Sequence, residues 1–488
     1  MPKPGRGSKR ASPYDDEQGR MTPGVPAQIA LAYPAAYRVG MSSLGLLTIY
    51  RAIQQSGDLG CERFFAPDAP APWGAQPTPR SIESSRPLAD FPLVAFSVAW
   101  ELELADLLRL LHAAGIPPLR EERSDRHPLI VAGGPLTFSN PMPLGPFVDA
   151  IVIGEADAIA PEILCTALEA PDHETARQRL AALPHVVVPS IHGELVTAPA
   201  RCRDELLPAW APIRTPHTEL RDMFLVEAVR GCSRGCRYCV MRRGIHGGMR
   251  TIPIERILAR IPDDARRVGL VGASVSDHPG VPGLVETLAD RGIGVGLSSL
   301  RADRLDERFV AALRKGGYKT LTTALDGSSD RVREQLDRST TAEHIMRVTR
   351  LAREAGIERL KLYLMVGVPG ETDEDLAECA ALARELSKVL PISLGISPFC
   401  PKKNTPLADA QFDGVKSIDR RLDLLRSAIA GRAEVRATSA RWAWVESVLA
   451  RGGHAEGRAV LEAVREGGSF AAFRKSFGAI GHHPDHRG

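Results

Sequence analysis

The chain of 488 residues contains no apolar run approaching the roughly 18 residues of a membrane span, and its start, Met1 to Arg20, lacks the apolar centre of a secretory signal. These absences argue against a helical membrane protein or a secreted one and predict a cytoplasmic location without a membrane partner. A charge excess is also missing. Lys+Arg 62 against Asp+Glu 59 gives a formal +3, so nucleic acid is not indicated as a partner. Nor is there a disulfide framework: of eight cysteines, Cys61, Cys165, Cys202, Cys379 and Cys400 are scattered and read as buried thiols. The composition, 44% hydrophobic and 25% charged, is that of a globular protein of about three domains.

The other three cysteines are crowded into Gly231-Cys232-Ser233-Arg234-Gly235-Cys236-Arg237-Tyr238-Cys239, directly after the apolar run Met223 to Val229. A C-x3-C-x2-C spacing lets one short loop turn three sulfurs toward a common centre, as needed to hold three irons of a cuboidal cluster and leave the fourth open to a ligand. A zinc knuckle with His246 as fourth ligand, or a chance clustering, is the competing reading. Arg234, Arg237, Arg242, Arg243 and Arg250 make the loop basic, which reads first as a solvated face and second as a dock for an electron donor.

Along the chain, residues 1 to 26 are rich in Gly, Pro, Lys, Arg and Ser and predict a disordered arm. From Ala27 short apolar runs alternate with helical periodicity, predicting an α/β domain over 27–200 built on a parallel sheet covered on both faces. In such a sheet ligands lie beyond the carboxyl ends of the strands. Two ends stand out: Gly133-Gly134-Pro135 after Leu129 to Ala132, and Gly154-Glu155-Ala156-Asp157 after Ala150 to Ile153. Adjacent Gly133 and Gly134 would let backbone approach a bulky planar or phosphate-bearing ligand, or else form only a tight turn. Residues 185 to 200 read as a hairpin or pair of strands and 201–221 as a linker. Six strand-helix repeats over 222–407 predict a partial parallel (β/α)6 barrel of TIM type, with the cysteine loop at the carboxyl end of its first strand. Residues 408–488 read as helical, with His482, His483 and His486 in a solvated tail. Lys402 and Lys403, after the sixth strand, sit where substrate could enter.

The cysteine loop, with Tyr238 before its last cysteine, resembles the radical S-adenosylmethionine signature, and five later landmarks follow in the order of that superfamily. They are Gly272-Ala273-Ser274-Val275-Ser276-Asp277, Leu297-Ser298-Ser299-Leu300-Arg301, Thr323-Ala324-Leu325-Asp326-Gly327-Ser328, Lys361 to Thr372, and Ser397-Pro398-Phe399-Cys400-Pro401-Lys402. Val39 to Gly45, Cys61 to Pro67, Glu83 to Leu88, Ala132 to Pro135, Ile153 to Glu155 and Val448 to Gly452 are similar to an uncharacterised family of these proteins with an N-terminal cobalamin-binding-like, Rossmann-like domain.

The resemblance implies a radical enzyme of unknown substrate, with Cys232, Cys236 and Cys239 ligating a [4Fe-4S] cluster whose open iron binds S-adenosylmethionine. It implies Tyr238 near the adenine, Gly272 or Ser274 on the methionyl amino group, and Ser298 and Arg301 near the ribose or carboxylate. Asp326 would lie near a ribose hydroxyl, and Val366 and Gly367 along the adenine edge. Structural ion pairs are the alternative for Arg301 and Asp326. A reducing partner such as flavodoxin or ferredoxin follows from the chemistry, and cobalamin is admitted as a further cofactor. The Asp-x-His-x-x-Gly motif that ligates cobalt in some cobalamin domains is absent, and so are the three grouped upstream cysteines of methylthiotransferases. Three readings stay open: a cobalamin-associated radical enzyme, a radical enzyme whose first domain binds no corrinoid, and a non-catalytic zinc or iron-sulfur protein.

Overall fold

The computed structural model describes residues 13–69, 71–241 and 248–485. The first half is built on a six-stranded sheet: β1 Ile29–Ala36, β2 Cys61–Ala66, β3 Leu93–Ser97, β4 Leu129–Gly133, β5 Ala150–Val152 and β6 Val186–Val187. The spatial order is β2-β1-β3-β4-β5-β6, all parallel except for β6 against β5. The two-residue period of a strand sends its apolar side chains to both faces. Ile29, Leu31, Leu93, Ala95, Leu129 and Val131 pack on the helices Leu44–Gln55, Ala160–Leu168 and His173–Ala181. Ala30, Ala32, Val94, Phe96, Ile130 and Ala132 pack on Glu103–Ala113.

The second half opens with β7 Phe224–Glu227 and the short antiparallel pair β8 Val229–Arg230 and β9 Arg250–Thr251. Then come β10 Arg267–Val271 and β11 Gly294–Leu297, which form a parallel sheet in the order β11-β10-β7. A second parallel sheet runs β12 Thr320–Asp326, β13 Arg359–Val366, β14 Ile392–Pro398 and β15 Ala433–Ala437. The outward N–H groups of β11 do not ladder onto β12: Val295 N donates to Gly316 O at 3.0 Å, and Leu297 N donates to the Tyr318 hydroxyl. The helices Val281–Asp290, Glu307–Lys315, Ala342–Glu354, Asp373–Ser387 and Val415–Ala428 alternate with the strands. Side-chain caps fix the starts of two of them: Asp306 accepts from Phe309 N at 2.8 Å, and Thr341 accepts from His344 N at 3.3 Å. Among the described residues no helix is long and apolar enough to cross a membrane.

Several expectations are corrected. Residues 13–26 of the expected disordered arm belong to the fold. Glu17 is buried beneath the first sheet, with its Oε2 2.6 Å from Nη2 of Arg63, itself 0% exposed, while Tyr37 donates to Glu17 Oε1 at 2.6 Å and Gln18 N donates to Arg214 O. A polar segment becomes ordered here because a buried guanidinium requires its carboxylate. In place of a hairpin or pair of strands, 185–200 forms the single strand β6 and the short helix Pro189–His192. The carboxyl-terminal region is not wholly helical, since β15 extends the second sheet. His482 is not frayed: its Nε2 lies 2.9 Å from Glu456 Oε1. His486 lies outside the described residues.

Candidate functional site

Gly231, with φ +80, turns the chain sharply out of β8 and starts the cysteine loop. Each sulfur receives one N–H. Arg234 N donates to Cys232 Sγ at 3.4 Å, the Met241 backbone serves Cys239, and Arg338 Nη1 reaches Cys236 Sγ at 3.8 Å. Cys239 N donates to Cys236 O at 3.2 Å, closing the second turn. Burial pushes the Cys239 thiol up, and the nearby Cys236 and Cys232 sulfurs push it the same way. The three thiols share one short loop and are of the residue type that binds a cationic metal centre, but among the described residues no group of three or more histidine, cysteine or carboxylate side chains is drawn together tightly enough to hold a metal. His246, Arg242 and Arg243 lie outside the described residues.

Asp277 braces this loop from the end of β10. Its Oδ2 accepts from Ser233 Oγ and Ser274 Oγ, both at 2.7 Å, and its Oδ1 from Arg301 Nη1 at 2.7 Å. Burial alone would raise its pKa, but the two hydroxyls and the Arg301 guanidinium outweigh it and hold the carboxyl down at about 2. Arg301 is also bonded to Asp303, and Arg234 lies 3.6 Å from both carboxylates. Arg301 therefore sits in an ion-pair network. Gly272 is held on both sides, its N–H donating to Ser298 Oγ at 3.0 Å and its carbonyl accepting from Ser298 at 2.8 Å and Ser299 at 3.1 Å. Of the residues expected at the cofactor here, Ser274 is buried and Ser298 is exposed.

A second group closes on the loop from β12. Asp326, at φ +63, lies with Oδ2 2.6 Å from Arg338 Nε and is hydrogen-bonded to the Tyr238 hydroxyl. Tyr238 packs its ring beside Val332, Leu336, Val368 and Phe399. Burial raises the Asp326 carboxyl and the Arg338 charge opposes it. Val366 is fully buried at the end of β13. Gly367, at φ +75, donates its N–H to Glu371 Oε2 at 2.7 Å, and a Cβ there would stand 2.3 Å from Ile418 Cδ1. Close packing against the outer helix is thus one demand for glycine at 367.

The two halves meet at a mostly apolar cavity of about 290 Å³. Gly133, Gly134 and Gly154 bring backbone to it from the first sheet, and Gly231, Met241 and Gly272 from the second half. Gly134, at φ +104, has Val98 O 2.7 Å from where its Cβ would be, so backbone packing as well as cavity access selects glycine. Glu155 binds Arg250 through both oxygens and lies 3.2 Å from Arg230 Nη1. Arg230 also reaches Asp157 at 2.9 Å and Glu227 at 2.6 Å. Arg250 is therefore no part of a solvated basic face, because it is buried against the first half. Lys402 is likewise withdrawn from any entrance, its Nζ 2.7 Å from both Glu101 and Glu446. Lys403 Nζ lies 3.3 Å from Asn140 Oδ1 and Gly452 O. Sequence reasoning missed Asp277 as the brace, Arg338 and Arg230. Asp277 stood in a quoted landmark; the other two carried no local signal.

Residues 226–383 match the radical SAM superfamily, and residues 45–189 match the N-terminal family of radical SAM proteins. An uncharacterized protein, MJ0966, of Methanocaldococcus jannaschii is 26% identical over 395 residues, 79% of this chain and 80% of that one. The ribosomal protein uS12 methylthiotransferase RimO of Geobacter sulfurreducens is 26% identical over 200 residues, 38% of this chain and 44% of the relative. Among solved structures, the radical S-adenosylmethionine methyltransferase TsrM of Kitasatospora setae superposes with a TM-score of 0.53 at 14% identity, covering 80% of this chain and 76% of that one. That likeness concerns the fold.

Proposed function

The chain is a radical S-adenosylmethionine protein, and we propose that it cleaves S-adenosylmethionine at the Cys232–Cys236–Cys239 loop to start hydrogen abstraction from a substrate. Cys232, Cys236 and Cys239 would hold a [4Fe-4S] cluster, which, reduced by an external one-electron donor, would supply the electron for reductive cleavage of the sulfur to C5′ bond. The observation that supports this reading is three thiols on one short loop, each provided with an N–H donor, with Cys236 and Cys232 in electrostatic reach of Cys239. Asp277 holds the loop's Ser233 and Arg234 in place, and the Tyr238–Asp326 bond fixes its far end.

For the expected cofactor contacts, Ser298 keeps an exposed position at the end of β11 and stays the candidate for a ribose or carboxylate oxygen. Gly272 and Ser274 follow β10, beside Ser298, and Val366 and Gly367 end and follow β13 in the second sheet; buried Ser274 and Val366 would act by shaping the backbone around the nucleoside. Arg301 and Asp326 act through the loop they support. An external one-electron donor of flavodoxin or ferredoxin type serves the site, in the cytoplasm.

The domain division that suits this reading is a cobalamin-binding-like, Rossmann-like unit over 27–200, a linker to 221 and a partial barrel over 222–407. The extension from 408 then contributes β15 to the barrel wall. A corrinoid is the second reading, favoured by the apolar cavity and its glycine-lined floor. No histidine is among the described residues lining that cavity, so the fit is to a flat apolar face without a protein ligand to cobalt. Anaerobic reconstitution followed by assay of iron, sulfide and 5′-deoxyadenosine tests the first reading. Replacing the three cysteines by alanine is expected to abolish cluster absorbance and product together, and a wild-type protein holding stoichiometric zinc with no cluster would overturn it. Retention of a hydroxocobalamin chromophore through gel filtration tests the second, which fails if the protein emerges colourless.

A further inference from the structure

We propose that Arg338 is a positioning residue for the cysteine loop and sets how readily its metal centre accepts an electron, with Asp326 as the opposing charge. This rests on the [4Fe-4S] reading of Cys232, Cys236 and Cys239. Of the three sulfurs, those of Cys232 and Cys239 take backbone N–H groups, from Arg234 and Met241. Cys236, 7% exposed, takes a charged side chain instead. Among the described residues Arg338 is thus the side-chain donor to the trio, and the one donor that substitution can remove.

Its reach is fixed at three points. The Arg338 side chain is 11% exposed; Nη2 donates to Ala324 O at 3.4 Å, and Nε lies 2.6 Å from Asp326 Oδ2. The Nε–H does not point along that last contact, which makes it an ion pair rather than an aligned hydrogen bond. The backbone N–H of Arg338 donates to Arg333 O at 2.8 Å, locking the loop that carries it. Asp326 is held in turn by the Tyr238 hydroxyl, two residues along from Cys236. The charges therefore run in a line: thiolate, guanidinium, carboxylate, phenol.

Reduction adds one electron from an external low-potential donor to the cluster, and no proton is required. A cation and an N–H directed at a ligating sulfur stabilise the added negative charge, and a carboxylate behind that cation works against it. Arg338 and Asp326 consequently push the potential in opposite directions, which a merely structural pair would not do. Asn suits the Asp326 position because it tolerates positive φ, so Asp326→Asn removes charge while keeping the backbone.

The test uses the full chain, reconstituted anaerobically, as wild type, Arg338→Met, Arg338→Lys and Asp326→Asn. Iron and sulfide are assayed first, and the midpoint is read by titration with dithionite while the reduced cluster is followed by electron paramagnetic resonance. The expected midpoint moves negative in Arg338→Met and positive in Asp326→Asn, with Arg338→Lys between Arg338→Met and wild type. Unchanged midpoints, or shifts of one sign in both charge variants, would overturn the inference even with the cluster fully formed. If Arg338→Met does not fold, Arg338→Lys and Asp326→Asn still decide by the sign of their shifts. A wild-type protein with zinc and no cluster overturns the underlying reading as well, and the metal assay separates that outcome.

Discussion

Arg230 Nη1 lies 3.2 Å from Glu155 Oε2, across the junction of the two halves and two residues before the first cysteine. Both side chains are nearly enclosed, and Arg230 also holds Asp157 and Glu227. The strand that launches the cysteine loop is thereby tied to the Gly154-Glu155-Ala156-Asp157 turn of the first sheet.

Removing Glu155 leaves Arg250 buried with only the exposed Asp204 as a carboxylate partner. Breaking a buried ion pair from one side costs about 3 kcal/mol. Glu155→Gln is expected to lower stability by that order in urea denaturation, while Arg458→Gln, which breaks the exposed pair with Glu121, costs under about 1 kcal/mol. Equal effects would mean that the junction is not held by this network.

The Asp277 brace predicts a pH signature. Its folded pKa of about 2 is below the unfolded value, so its contribution is present above pH ~4 and is lost as pH falls through about 2. The contribution is about 2 kcal/mol at neutral pH. In denaturation curves measured from pH 7 to 2, the gap between wild type and Asp277→Asn should narrow toward acid. A gap independent of pH would count against the brace.

The adjacent glycines should separate under substitution. Gly134→Ala forces a Cβ at φ +104 to within 2.7 Å of Val98 O and is expected to cost about 2 kcal/mol or more. Gly133→Ala meets Val152 O at 3.6 Å, an ordinary contact, and should leave the thermal midpoint nearly unchanged. If the cavity holds a corrinoid, Gly133→Ala should still weaken chromophore retention, so stability and binding part at this residue.

Lys402→Met would leave Glu101 and Glu446 facing each other without their cation. A loss of about 3 kcal/mol at pH 7 is expected. Burial already pushes the Glu101 carboxyl up, so acid protonates it and the deficit should shrink toward pH 5. Calorimetry at the two pH values measures the difference.

Much of the fold was legible because strands carry a two-residue period and helices a longer one. Leu360 to Val366 announces itself in this way, and Leu129 to Ala132 does so as a short continuous apolar run buried on both faces. β15 did not, since Ala433–Ala437 alternates small residues with the exposed Glu434 and Arg436, the charged pattern of an edge strand. The cysteines were legible from spacing alone. Their supports were not: Arg338 reaches Cys236 from 102 residues away and Arg301 reaches Asp277 from 24. Such pairings depend on loops returning to one sheet end, which local periodicity does not encode. The order of residues 13–26 was hidden for the same reason, since Glu17 finds Arg63 only in three dimensions.

The join between β11 and the segment leading into β12 consists of a carbonyl at Gly316 and a phenol at Tyr318. Those two hydrogen bonds, each worth about 1 kcal/mol, and the Thr323 hydroxyl on Leu300 O at 2.9 Å stand where a continuous ladder would run. The spacing of the two walls is then set by side chains and single hydrogen bonds at this seam, not by the circumference of a closed cylinder.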